Sequence, residues 1–167
     1  MNLKDKINED IKSAMKGGLS AEASTLRFLN SVIKNKELEK RNRLSKEGHP
    51  AAELDKASEL SDEEVVGAIS GEIKKIKDSI AQFEKGGRAD LAEKEAVELE
   101  ILKKYVPEEM GEDELRAVVK KKLAEMGEVS MKDFGKIMGG IMVEVKGRAD
   151  GTVVKKLIEE ELGGLRQ

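Results

Sequence analysis

Only two prolines, Pro50 and Pro107, interrupt a chain of 167 residues. Proline breaks a helix interior by removing a backbone donor and colliding with the preceding turn. Their wide spacing therefore leaves room for long, unbroken helices. The apolar residues recur at helical spacing: Leu3, Ile7, Ile11 and Met15 stand four apart and form one stripe, and Gly17-Gly18 then stops the helix. Strands favour aromatic and β-branched side chains, but aromatics make up 2% of this chain and Trp is absent. Lys, Glu, Leu, Ala and Met, which suit helices, take their place. The expected class is all-α.

A second helix is predicted from Ser20, as its N-cap, past Arg41. Its apolar face is Leu26, Leu29, Ile33 and Leu38, flanked by Phe28 and Val32. From Ser45 to Leu60 the pattern weakens around Gly48-His49-Pro50, which suggests an exposed insertion. Ser61-Asp62-Glu63-Glu64 has the form of a capping box, in which hydroxyl and carboxylate each satisfy an orphan backbone N–H. It opens a helix through Val65, Ile69, Ile73, Ile76, Ile80 and Phe83 that Gly86-Gly87 closes. Another helix begins at Arg88 or Asp90 and ends at Tyr105. Short glycine turns place helical neighbours side by side, as in an antiparallel bundle.

Beyond Pro107 three shorter helices are expected. Glu112 to Met126 buries Leu115, Val118 or Val119, and Leu123. Ser130-Met131-Lys132-Asp133 starts the next, with Phe134, Ile137, Met138, Ile141, Met142 and Val145 on one face. The last runs from Asp150 or Gly151 to Leu162. Gly147 supplies a left-handed terminal residue, and Gly135, Gly139 and Gly140 are expected to admit a close neighbouring helix. The chain thus divides into an elongated helical bundle, 1–106, and a compact three-helix unit, 107–167.

Net charge is −3, unevenly spread. Residues 1–58 carry 12 basic and 9 acidic side chains, residues 59–129 carry 12 and 19, and residues 130–167 carry 7 and 6. An acidic centre lies between mildly basic ends, so any nucleic-acid contact must be local. With no cysteine there are no disulfides, thiolate nucleophiles or Cys-ligated metals. No segment approaches the roughly 18 apolar residues of a membrane span, and the N-terminus lacks a secretory h-region. These features lead to the expectation of a cytosolic protein with no membrane partner.

Several blocks resemble one family. Thr25-Leu26-Arg27-Phe28-Leu29 with Ile33-Lys34-Asn35-Lys36-Glu37 is similar to the N-terminal signature of YqeY-like proteins. Glu72-Ile73-Lys74-Lys75-Ile76-Lys77-Asp78-Ser79 and Phe83-Glu84-Lys85-Gly86-Gly87-Arg88-Ala89-Asp90-Leu91-Ala92 resemble its middle blocks. Ser130 to Gly139 and Lys146-Gly147-Arg148-Ala149-Asp150-Gly151 resemble its tail. Two places depart from the pattern: Ser45–Glu59, and Gly111, which stands where a Ser or Thr cap is expected. The resemblance implies that the part from Glu112 onward is like the tail domain of the B subunit of the tRNA-dependent amidotransferase. There the tail grips the outer part of the tRNA and performs no chemistry.

The candidate site residues follow from this. At the Lys146–Gly151 hinge, Gly147 and Gly151 allow close backbone approach, Lys146 and Arg148 supply charge, and the final helix offers N–H groups suited to phosphate. Lys136, Lys155 and Lys156 extend that surface. The bland alternative is a glycine turn with solvated lysines. A secondary basic patch is Lys34, Lys36, Lys40, Arg41 and Arg43, with Lys46; cations also simply complement a helix C-terminus. His49 is the only histidine and has no recognisable partner. The methionines 131, 138 and 142 follow helical spacing, and the glutamates 93 to 100 spread around a helix.

No metal or cofactor is expected, and no Gly-rich phosphate loop, Ser-centred amidase signature or glutaminase cysteine is present. The leading expectation is a non-catalytic tRNA- or RNA-associated module. The alternative is a protein-interaction adaptor for an amidotransferase or another tRNA-handling complex. A carbon–nitrogen ligase role with glutamine as amido donor attaches only through the larger enzyme.

Overall fold

In the computed structural model, which describes residues 1–164, every regular element is helical. Two compact units divide at Val106/Pro107.

In the first unit, α1 (Leu3–Lys16) and α2 (Ser20–Lys46) pack against one another, as do α4 (Asp62–Lys85) and α5 (Ala89–Lys103). α2 also contacts α4 and α5. A four-residue α3 (Leu54–Ala57) lies against α2 and buries Leu54, so the weak stretch after Ser45 is partly helical. The shared core is Ile7, Leu26, Leu29, Ile33, Val65, Ile69, Ile73, Ile76, Ile101, Leu102 and Tyr105. Each buried aliphatic side chain contributes about 1.5–3 kcal/mol relative to exposure. Tyr105 carries its polar end inside by donating to the Asp10 carboxylate at 2.6 Å. Burial and that carboxylate push its pKa well above the ordinary tyrosine value.

The helix ends of this unit are encoded locally. Ser61 and Glu64 form the capping box in both directions. Glu64 also takes Lys40, at 2.9 and 2.8 Å, and these bonds, that to Lys40 foremost, hold its carboxyl below the usual range. Gly18 (φ 71°) and Gly87 (φ 69°) are left-handed residues that complete Schellman turns: Leu19 N–H donates to Ala14 C=O, and Arg88 N–H to Phe83 C=O. Three local details differ from the sequence expectation. Leu19, not Ser20, is the N-cap of α2, because the turn from α1 runs directly into the helix. Ala14 rather than Met15 ends the buried stripe of α1, and Leu38 and Phe28 on α2 are exposed.

In the second unit, α6 (Glu112–Met126), α7 (Phe134–Val145) and α8 (Gly151–Gly164) contact one another pairwise around Leu115, Val119, Leu123, Ile137, Ile141, Val145, Val154, Leu157, Ile158 and Leu162. A single 3₁₀ turn, Met131–Asp133, precedes α7 and is capped reciprocally by Ser130 and Asp133. Gly111 caps α6 without a side-chain bond. Of the three glycines expected to seat a neighbouring helix, only Gly140 is closely approached. A Cβ there would stand 2.7 Å from Lys122 Cε. Gly135 and Gly139 face open space, because they lie on the side of α7 opposite Ile137, Ile141 and Val145.

Candidate nucleic-acid interface

The hinge between α7 and α8 is built by backbone geometry more than by charge. Lys146 has φ 31° and Gly147 φ 74°, so two successive left-handed residues turn the chain. For a non-glycine residue this conformation is costly because Cβ crowds the following carbonyl. Arg148 then points back across the unit. Its Nε donates to the Glu108 carbonyl at 3.1 Å, its Nη2 lies 3.5 Å from Glu114, and its own carbonyl accepts from Met110 N–H at 2.8 Å. The guanidinium thus clamps the segment that leads into α6. At the start of α8 the Asp150 carboxylate accepts from Thr152 N–H at 2.6 Å. An acidic side chain already sits where an incoming phosphate would be received.

The other hinge-side candidates are paired too. Lys155 lies 3.9 Å from Glu159, and Lys156 lies 3.8 Å from Glu160, each one turn along α8. Arg116 bridges Glu112 on its own helix to Glu160 and Glu161 on α8, at 3.1, 2.9 and 3.1 Å. These carboxylates raise its pKa further. Lys120 reaches Glu161, Lys121 reaches Glu125, and Lys146 is also engaged.

Lys136 is different. It is exposed and has no ion pair among the described residues. Lys132, one turn earlier, shares that condition. Lys122 is half-buried and likewise has no ion pair among the described residues; its side chain crosses from α6 to lie over Gly140, one turn after Lys136. The lysines at 132, in the turn before α7, and 136 are followed by Lys122 over Gly140, and positions 136 and 140 stand one turn apart on one face of α7. Gly135 and Gly139 beside them keep the α7 backbone bare.

The sequence reading named Lys136 as a candidate and did not name Lys122 or Lys132. The run Lys120-Lys121-Lys122 was visible, yet nothing in it shows that the third lysine reaches over a glycine of another helix. Gly151 faces inward, where a Cβ would touch Met138 Cε at 3.5 Å.

In the first unit three of the six cations of the basic patch are paired. Lys40 binds Glu64 and the Glu59 carbonyl, Arg41 binds Asp55 at 2.9 Å, and Arg43 lies 3.9 Å from Glu47. Lys34, Lys36 and Lys46 remain exposed.

Residues 4–162 match the family described as Yqey-like protein. The chain belongs to the YqeY-like family. Among relatives of this YqeY-like chain is the Altered inheritance of mitochondria protein 41 of Pyrenophora tritici-repentis, 30% identical over 161 residues, covering 95% of this chain and 80% of the relative. The protein of the same name from Lachancea thermotolerans is 28% identical over 158 residues, covering 91% and 76%. That from Kluyveromyces lactis is 32% identical over 99 residues, covering 59% and 45%.

All three relatives are mitochondrial proteins by name. These names overturn the cytosolic expectation. The three signals behind it, a missing h-region, a missing apolar span and missing cysteines, speak only to secretion, membrane crossing and disulfides. None separates cytosol from the interior of an organelle. Among the described residues no helix of this YqeY-like chain is long and apolar enough to cross a membrane, and no cluster of three or more His, Cys, Asp or Glu residues is arranged to hold a metal ion.

Proposed function

We propose that this YqeY-like protein is a non-catalytic RNA-associated module that contacts the RNA backbone, with tRNA the leading candidate, through its C-terminal unit. The observation that carries the proposal is this group of lysines. Among the described residues of a unit whose other cations are engaged, Lys122 and Lys136 share one face of α7, with Lys132 in the turn before it, and none of the three has an anionic partner. Unpaired lysines over bare backbone suit phosphate, because neutralising a phosphate releases condensed counterions. The resemblance of Ser130–Gly151 to an amidotransferase tail supports tRNA as the nucleic acid.

Titration of the full chain with tRNA at several salt concentrations tests this reading. Binding is expected to weaken as salt rises, and Lys136→Glu and Lys122→Glu should each weaken it and flatten the salt dependence by about one unit of slope. Arg148→Glu distinguishes the hinge from the lysines: if it abolishes binding while the lysine variants do not, the hinge is the contact. Absence of salt-sensitive binding at low ionic strength overturns the proposal.

A further inference from the structure

The company that Lys122, Lys132 and Lys136 keep is as telling as their charge. Between residues 107 and 167 the only aromatic residue is Phe134. It is half-buried and packed against the core of the second unit. The large apolar side chains that stand exposed there, Met131, Val143 and Val153, have no aromatic face. Groups that read base edges are scarce or committed. The same stretch contains no Asn and no His, and its one Gln is residue 167. Of the arginines among the described residues, Arg116 is held by Glu112, Glu160 and Glu161, and Arg148 by Glu114 and the Glu108 carbonyl. Ser130 and Asp133 close on one another as a cap.

We propose, resting on the RNA-backbone reading above, that the ligand of this surface is a base-paired RNA stem of any sequence. Proteins that hold single strands do so on aromatic platforms, because every base has a π face and stacking supplies much of the affinity. Loops and bulges are read by the same stacking, joined by hydrogen bonds to base edges. The second unit is equipped for neither. It offers charge and access: three lysines, each a point charge on a flexible stem, beside helix backbone that Gly135 and Gly139 leave without side chains.

Such a surface gains more from a duplex than from a strand. A stem packs two lines of phosphate into one length, so its counterion atmosphere is denser and each neutralised phosphate releases more of it. In A-form geometry the major groove is too deep and narrow for side chains, so contact runs through phosphates and 2′-hydroxyls whatever the sequence. The contact is also short. Glu144 is exposed one turn after Gly140, and its like charge turns phosphate away at that end. With one phosphate for each of the three lysines, the logarithm of affinity should fall against that of salt with a slope of about −3.

Fluorescence anisotropy of the full chain at low ionic strength tests this with three labelled RNAs of equal length. Two are hairpins that share a loop and differ in the order of their stem base pairs; the third is an unstructured oligouridine. The hairpins should bind within about twofold of one another and about tenfold more tightly than the oligouridine. Lys136→Glu should weaken both hairpins by the same factor. Gly139→Tyr places an aromatic ring where a Cβ meets open space, so the fold accommodates it. That variant should bind oligouridine more tightly than the parent does and narrow the gap. Oligouridine bound as tightly as the hairpins, hairpins that differ by about tenfold, or no gain for oligouridine on Gly139→Tyr overturns the stem proposal and leaves the RNA-backbone reading standing. Absence of salt-sensitive binding to all three RNAs overturns both.

Discussion

The two units solve the same problem, ending and aligning helices, by different means. In the first, stop and start signals lie within a few residues of the helices they shape: Ser61 with Glu64, Gly18 with the Leu19–Ala14 bond, Gly87 with the Arg88–Phe83 bond. In the second, α6 begins at an uncapped Gly111 and relies on Arg148 to hold the chain leading into it. Arg116 ties α6 to α8, and a lysine, not a glycine, takes the first left-handed position after α7. Both units carry ties between distant residues, such as Tyr105 to Asp10 in the first, but the first has a capping box and glycine stops beside its helices, whereas the second holds the start of α6 by a distant tie.

That contrast is sharpened most by core substitutions. Ile141 and Leu26 are both fully buried, one in each unit. Each change to Ala should cost about 2–5 kcal/mol. The chain has one Tyr and no Trp, and Tyr105 sits in the first core, so tyrosine fluorescence follows that unit alone. Ile141→Ala should lower the melting seen by circular dichroism and leave the Tyr105 transition in place, whereas Leu26→Ala should shift it. A shift of the Tyr105 transition in both variants would break the comparison.

Smaller effects come from the helix ends. Arg148→Ala should cost about 1 kcal/mol, since it removes a hydrogen bond to the Glu108 carbonyl, and should speed amide exchange at Met110. Gly87→Ala should cost about 1 kcal/mol because φ is positive there, while Lys146→Gly should add roughly 0.5–1 kcal/mol by relieving the same strain. Denaturant midpoints of the three variants check both signs. A Lys146→Gly variant no more stable than the parent would show that the hinge lysine contributes more than its conformation costs.

The smallest effect is in pH dependence. The depressed pKa of Glu64 means its contribution is present above the usual glutamate pKa, about 4.3, and disappears as pH falls through the lowered value. Glu64→Gln should therefore flatten the acid limb of the first unit's stability and leave the second unit's unchanged.

Legibility followed the same divide. Leu26, Leu29 and Ile33, the Ser61 capping box and the glycine stops were readable because period and spacing are local quantities. Leu38 follows Ile33 by five residues, about 140° round the helix, so it points away from the buried face and is exposed. The i, i+4 pairs of Lys155 and Lys156 with Glu159 and Glu160 stand in the sequence, but whether a lysine pairs or stays bare depends on its surroundings. The Arg148 clamp and the reach of Lys122 over Gly140 join residues far apart along the chain. No local pattern announces either one.

The Arg148 clamp also bears on how the protein is made. A chain leaving the ribosome exposes the segment before α6 well ahead of the hinge, 40 residues later, an interval on the order of seconds. The first unit's capping box and glycine stops are present as each helix emerges. The second unit must wait, its entry segment unfastened, until residue 148 arrives. For that interval the start of α6 has neither a side-chain cap nor its tether.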